Sequence, residues 1–129
     1  MPIQYYPDWL AASPANTQIR DDRIALSLAH KPAQQTVLAQ MQAISTIDVR
    51  PYLSRIPPTF PILVLHGRQD RMVKFTETKH TLRGVPHADT LFVDGVAHFW
   101  YDMKGGADYW VRELGGWLDG QPASGRPKL

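Results

Sequence analysis

The sequence predicts an α/β fold built on a small parallel sheet. Residues 60–66 form a continuous apolar run, which is typical of a strand covered on both faces. A second strand is predicted at residues 90–93, and a helical segment lies between the two. Because a strand–helix–strand order within one sheet gives a right-handed parallel unit, we expect both strands to end at the same edge.

The N-terminal part is predicted to be mainly helical. Residues 1–17 contain three prolines and are expected to be irregular. A first helix is expected over residues 18–29, where Asn16 or Thr17 is placed to cap it. An amphipathic helix is expected over residues 33–45, since its apolar residues recur at helical spacing.

The remaining elements follow in chain order. They are a helical turn (48–53), a strand (60–66), a helix (74–82) with Gly84 as C-cap, a strand (90–93) and a helix (107–118). Residues 121–129 combine Pro, Ser, Gly and charged residues, so we expect a disordered tail.

Composition excludes several classes of protein. The 129 residues include no cysteine, which excludes disulfides and a thiol nucleophile. The net charge is +2 and the basic residues are scattered, so nucleic-acid binding is not expected. No apolar run reaches membrane-spanning length, and residues 1–8 lack the basic start and the apolar core that are typical of a signal peptide, so we expect a cytoplasmic protein with no membrane contact. No zinc-ligand spacing and no nucleotide-binding glycine motif occurs, so neither a metal nor an organic cofactor is expected.

One acid–base residue follows each predicted strand. Asp70 lies just past the first strand and His98 just past the second. A carboxylate that orients an imidazole makes up two thirds of a nucleophilic triad. The sequence therefore predicts Asp70 and His98 as catalytic residues that are hydrogen-bonded at one edge of the sheet.

Both residues also have structural interpretations. Asp70 suits a turn, where its side chain bonds to the backbone, and His98 could be a neutral core or surface histidine. Asp94 is a competing carboxylate four residues from His98, and His66 at the end of the first strand is more often structural.

The third member of a triad is missing from the sequence. The serines are Ser13, Ser27, Ser45, Ser54 and Ser124. None has a glycine at both the second position before it and the second position after it, so no G-x-S-x-G elbow occurs.

Residues 45–119 resemble the end of an α/β-hydrolase. In that family the pattern P-x-L-x-x-x-G-x-x-D-x-x-V is followed by G-x-x-H, and the acid and the histidine come after successive strands. The matching residues are Pro61, Leu63, Gly67, Asp70 and Val73 in the first pattern and Gly95 and His98 in the second. The family's nucleophile elbow and oxyanion-hole loop lie upstream of these patterns, so the chain resembles the C-terminal portion of the fold.

The resemblance implies a division of the chain and a chemistry. Residues 1–56 correspond to a helical lid-like segment, residues 57–119 to the last two strand–helix units of the core, and residues 120–129 to a tail. The helices either cover the sheet or line a substrate pocket with Tyr5, Tyr6, Trp9 and Met41. The implied reaction is hydrolysis of an ester, a lactone or a related acyl compound by a Ser-His-Asp triad.

Three interpretations of the missing serine remain open. The isolated chain is an inactive part of a hydrolase, a non-catalytic remnant that acts as a binding protein, or a fragment of an ordinary serine hydrolase. In the family the strand at residues 60–66 has neighbours on both sides. Its free edge therefore predicts that the chain forms a homodimer, aggregates or needs a partner, unless residues 1–55 fold over that edge. A small-molecule acyl substrate is expected only once the missing residues are supplied.

Overall fold

The computed structural model describes residues 3–120 and shows a mixed α/β chain with a two-stranded parallel sheet. In chain order the elements are α1 (Pro7–Ala12), α2 (Pro14–Ala29), α3 (Gln34–Thr46), α4 (Arg50–Leu53), β1 (Leu63–Gly67), a 3-10 turn (Phe75–Glu77), α5 (Thr78–Gly84), β2 (Asp89–Val93), a second 3-10 turn (Trp100–Asp102) and α6 (Ala107–Leu118). The register runs from Leu63 opposite Asp89 to Gly67 opposite Val93, so both strands end together. The predicted disordered tail at 121–129 lies outside the described residues.

The N-terminal residues are helical where the sequence analysis expected irregular structure. Helices α1 and α2 begin at Pro7 and Pro14, where a missing N–H costs nothing because the first turn leaves it unbonded anyway. The cap of α2 is Ser13, whose Oγ accepts a hydrogen bond from the Ala15 N–H at 3.1 Å. The prediction of Asn16 or Thr17 as the cap was therefore wrong.

The largest of the other differences concern the strand predicted at 60–66 and the helix predicted at 74–82. β1 begins at Leu63 rather than at residue 60, and Pro61 offers no backbone donor to a ladder. The helix predicted at 74–82 is a 3-10 turn followed by α5. Gly84 ends α5 without a left-handed cap; a Cβ there would lie 2.5 Å from the Leu53 Cβ, so the glycine allows α4 to approach α5. The prediction for α6, residues 107–118, is confirmed.

The core lies between β2, the loop after it and α6, and the N-terminal segment completes it. Its buried members are Tyr5, Leu91, Val93, Val96, Ala97, Met103 and Trp110. The Tyr5 ring is 2% exposed, and its hydroxyl donates to Asp102 at 2.8 Å. Burial, with the Asp102 carboxylate beside it, raises the pKa of Tyr5 well above its ordinary value, so the hydroxyl stays protonated and keeps donating.

Helices α2 and α3 contribute no buried residue, which is evidence against the interpretation that they cover the sheet. The residues of α3 form a helix, as their amphipathic pattern predicts. Met41 on this helix is 62% exposed, whereas Tyr5 is buried in the core. These two side chains therefore do not line one pocket. Within residues 3–120, no helix combines the length and the apolar character that crossing a bilayer requires.

Truncating Tyr5 tests how firmly the N-terminal segment is joined to the core. Tyr5→Ala is expected to lower the free energy of unfolding by about 3–5 kcal/mol, as for other buried aromatic residues. Tyr52→Ala is the matched control, because Tyr52 is 55% exposed; its change should stay within about 0.5 kcal/mol. Urea denaturation compares the two, and equal losses would show that residues 3–6 do not belong to the core.

Candidate active site

The structure places Asp70 and His98 side by side at the edge where both strands end. Asp70 Oδ2 lies 3.0 Å from His98 Nδ1, and the two residues are 28 positions apart in the sequence. The Asp70 side chain is 6% exposed and the His98 side chain 35%. Because an ionised carboxylate can only accept, Nδ1 is the donor, and in the neutral imidazole Nε2 is then the basic nitrogen.

The second carboxylate oxygen of Asp70 holds the turn. Oδ1 accepts hydrogen bonds from the backbone N–H groups of Met72 at 2.8 Å and Val73 at 3.0 Å. Asp70 therefore has both of the roles that the sequence suggests. Its Oδ1 bonds to the backbone of the turn, and its Oδ2 contacts His98. Three hydrogen bonds therefore fix the carboxylate, two from the turn to Oδ1 and one from His98 to Oδ2.

The His98 loop approaches the β1 end closely. A Cβ on Gly67 would lie 2.3 Å from the Val96 carbonyl oxygen, so only glycine fits there without movement of the backbone. Gly95 has a φ of 73°, a conformation that side chains disfavour. These two glycines, which the sequence analysis singled out, allow the loop to fold back over the strand end.

The pair borders a small cavity of about 230 Å³. Its other lining residues are Leu65, His66, Gly67, Val73 and Trp100. A second cavity of about 340 Å³ shares the lining residues Leu65 and Trp100 and is also lined by residues of α6. Of the three aromatic residues after His98, Trp100 lines the cavity, whereas Phe99 packs edge-on against Tyr5.

The competing residues take different positions. Asp94 is 81% exposed and lies 3.5 Å from the Arg68 Nε, so the carboxylate beside His98 is Asp70. His66 Nδ1 lies 2.8 Å from the Gly67 carbonyl oxygen, which requires Nδ1 to be the donor. Its Nε2 lies 3.9 Å from Asp70 Oδ2. His66, for which the sequence favours a structural role, is therefore a neighbour of the Asp70–His98 pair. Within residues 3–120, no three His, Asp or Glu side chains are grouped to hold a metal ion.

Sequence comparison finds relatives among bacterial hydrolases. Proteins named "Putative carbamate hydrolase RutD" from Pseudomonas savastanoi pv. phaseolicola (strain 1448A / Race 6) and Pseudomonas syringae pv. syringae (strain B728a) are each 32% identical over 94 residues. The protein of that name from Stutzerimonas stutzeri (strain A1501) is 30% identical over 94 residues.

The matched region covers 73% of this chain and 34% of each relative. The chain thus spans about a third of the length of the curated relatives it matches. No protein-family profile matches the sequence. No solved structure matches it either.

Proposed function

We propose that this chain carries the acid and the histidine of an α/β-hydrolase that cleaves a carbamate, an ester or a related acyl compound. The observation that carries the proposal is the 3.0 Å contact between Asp70 Oδ2 and His98 Nδ1 at the shared strand ends. The names of the relatives support hydrolysis as the reaction class and a carbamate as one substrate.

In the proposed mechanism, His98 Nε2 removes the proton of an attacking serine hydroxyl. The serine oxygen bonds to the carbonyl carbon, the bond from that carbon to the leaving group breaks, and the imidazolium gives its proton to the leaving alcohol or amine. Water then attacks the acyl-enzyme with His98 again as base, the bond between the carbonyl carbon and the serine oxygen breaks, and the imidazolium returns its proton to the serine. Asp70 keeps Nδ1 protonated and stabilises the imidazolium, so Nε2 stays directed at the reacting atoms.

The serine of this mechanism would come from outside the 129 residues, either from another part of a longer polypeptide or from another chain. The isolated chain is therefore expected not to hydrolyse p-nitrophenyl acetate above the buffer rate. A chimera tests the proposal. In it, the matched residues of this chain replace the corresponding 94-residue segment of the Pseudomonas savastanoi relative. Hydrolysis by the chimera and none by the isolated chain is the expected result.

The same experiment distinguishes the alternative hypothesis of a non-catalytic binding protein. A chimera that folds but does not hydrolyse a carbamate or an acetate ester, while the intact relative does, would favour that alternative. If the isolated chain hydrolyses the substrate and His98→Ala abolishes that activity, the proposal is contradicted on another ground. A nucleophile would then have to lie within these 129 residues.

We also propose that the free edge of β1 pairs with another chain. β1 has β2 on one side, and no strand among residues 3–120 lies on its other side. An exposed apolar strand edge favours pairing, and a charge on the strand opposes it. Light scattering after size exclusion should show dimers or larger species that Val64→Lys converts to monomers. Val37→Lys on the exposed α3 is the control, and a wild-type monomer at all concentrations would contradict the proposal.

A further inference from the structure

One side chain joins the Asp70 turn to the His98 loop. Gln69 Oε1 accepts hydrogen bonds from the backbone N–H groups of Gly95 at 2.7 Å and Val96 at 3.3 Å. The backbone N–H of Gln69 donates to the Val96 carbonyl oxygen at 3.0 Å. Gln69 therefore bonds in both directions to a loop that lies 26 and 27 positions away in the sequence.

The geometry of the loop suits an acceptor at this position. Gly95 has a φ of 73°, and two successive backbone N–H groups converge on the one amide oxygen. Such a concave pair of donors takes a negatively polarised oxygen and gains nothing from an apolar side chain. A half-buried pair of N–H groups without an acceptor would also carry a desolvation penalty.

The position of Gln69 links it to the reacting pair. Gln69 directly precedes Asp70, and Val96 lies two residues before His98. The Asp70–His98 hydrogen bond therefore forms between two segments that the Gln69 contacts join, together with the hydrogen bond from the Arg68 N–H to the Val93 carbonyl oxygen at 3.0 Å. A hydrogen bond of 3.0 Å weakens steeply when its partners separate or tilt, so a small shift of the loop is enough to lose it.

We propose that Gln69 is the positioning residue of the Asp70–His98 pair, acting through its amide oxygen on the Gly95 and Val96 N–H groups. This inference rests on the proposed function only for the claim that the pair is catalytic. The hydrogen bond between Asp70 and His98 can be observed without turnover. Gln69 makes no contact with the reacting atoms in this proposal. It holds the histidine loop at the distance that lets Asp70 select the Nδ1–H form of His98.

The test uses the full 129-residue chain labelled with ¹⁵N-histidine and compares Gln69→Met with Gln69→Glu. Methionine fills similar space without a strong acceptor, whereas glutamate restores an oxygen acceptor. In Gln69→Met, His98 should lose the Nδ1–H resonance that its bond to Asp70 protects. The amide hydrogens of Gly95 and Val96 should exchange at least tenfold faster. Gln69→Glu should retain the resonance and the slow exchange.

Urea denaturation of each variant separates positioning from general loss of structure. A folded Gln69→Met chain that keeps the His98 Nδ1–H resonance would overturn the inference and leave the proposed function intact. If Gln69→Met does not fold, Gln69→Glu decides, because a folded Gln69→Glu chain without the resonance would overturn the inference as well. Absence of the resonance in the wild-type chain would instead count against the proposed function.

Discussion

Replacing His98 by alanine is expected to lower kcat/KM of the hydrolytic chimera by about 10⁴-fold, because the serine then has no base and the leaving group no acid. KM should change little, since the imidazole acts in proton transfer and not in holding the acyl group. His30→Ala is the matched control, because His30 is an exposed residue at the end of α2.

Steady-state hydrolysis of p-nitrophenyl acetate measures both variants, with circular dichroism to show that each chimera is folded. The control should retain wild-type activity. A His98→Ala chimera with activity within tenfold of wild type would show that another base serves the reaction, and His66 in the same cavity would be the next residue to test.

Adding one methyl group at Gly67 is expected to disrupt the site more than any other single small substitution in the sheet. A Cβ there would lie 2.3 Å from the Val96 carbonyl oxygen and 2.6 Å from its carbonyl carbon. Both are backbone atoms that cannot rotate away, so the loop must move. We expect Gly67→Ala to lower the free energy of unfolding by about 3 kcal/mol, at the upper end of overpacking effects.

Gly116→Ala adds the same methyl group and is expected to have the opposite effect on the free energy of unfolding. Gly116 lies within α6, and a Cβ there would meet no heavy atom within 4 Å apart from its chain neighbours and the backbone of its own helix. Alanine should therefore stabilise the helix by about 0.5–1 kcal/mol through its better helix propensity. Thermal or urea unfolding of the two variants gives the comparison. Similar stability for both would contradict the close approach of the His98 loop to β1.

The contact between Asp70 and His98 could be predicted because short local patterns determine it. Each residue follows an apolar strand, and parallel pairing brings the ends of both strands to one edge. Their catalytic role stays a proposal, because the sequence and the fold locate the side chains without supplying the nucleophile.

The errors at the N-terminus have a local cause. The prolines of residues 1–17 predict irregular structure if they act as helix breakers, whereas Pro7 and Pro14 lie at the first helical position, where proline begins a helix. Ser13 directly before Pro14 is a capping signal that was present in the sequence and could have located the start of α2.

Other features depend on contacts that no local pattern encodes. The burial of Tyr5 requires Asp102, 97 positions away, and Arg23 reaches the same carboxylate over 79 positions. The apolar spacing of α3 predicts a helix, but it does not say what that face contacts. The contacts of Gln69 could not be predicted from the sequence for the same reason. A polar residue in a turn does not indicate that its side-chain oxygen binds a distant loop.

The most direct test of the central claim is the tautomer of His98 at neutral pH. Imidazole ¹⁵N spectra of the ¹⁵N-histidine chain should show His98 protonated at Nδ1 with Nε2 as the basic nitrogen, because Asp70 Oδ2 accepts from Nδ1 at 3.0 Å. Asp70→Asn should abolish that preference, while Asp94→Asn, which changes an exposed carboxylate, should leave it unchanged. A wild-type His98 protonated at Nε2, or one indifferent to Asp70→Asn, would contradict the assignment of Asp70 and His98 as the acid–base pair of a hydrolase.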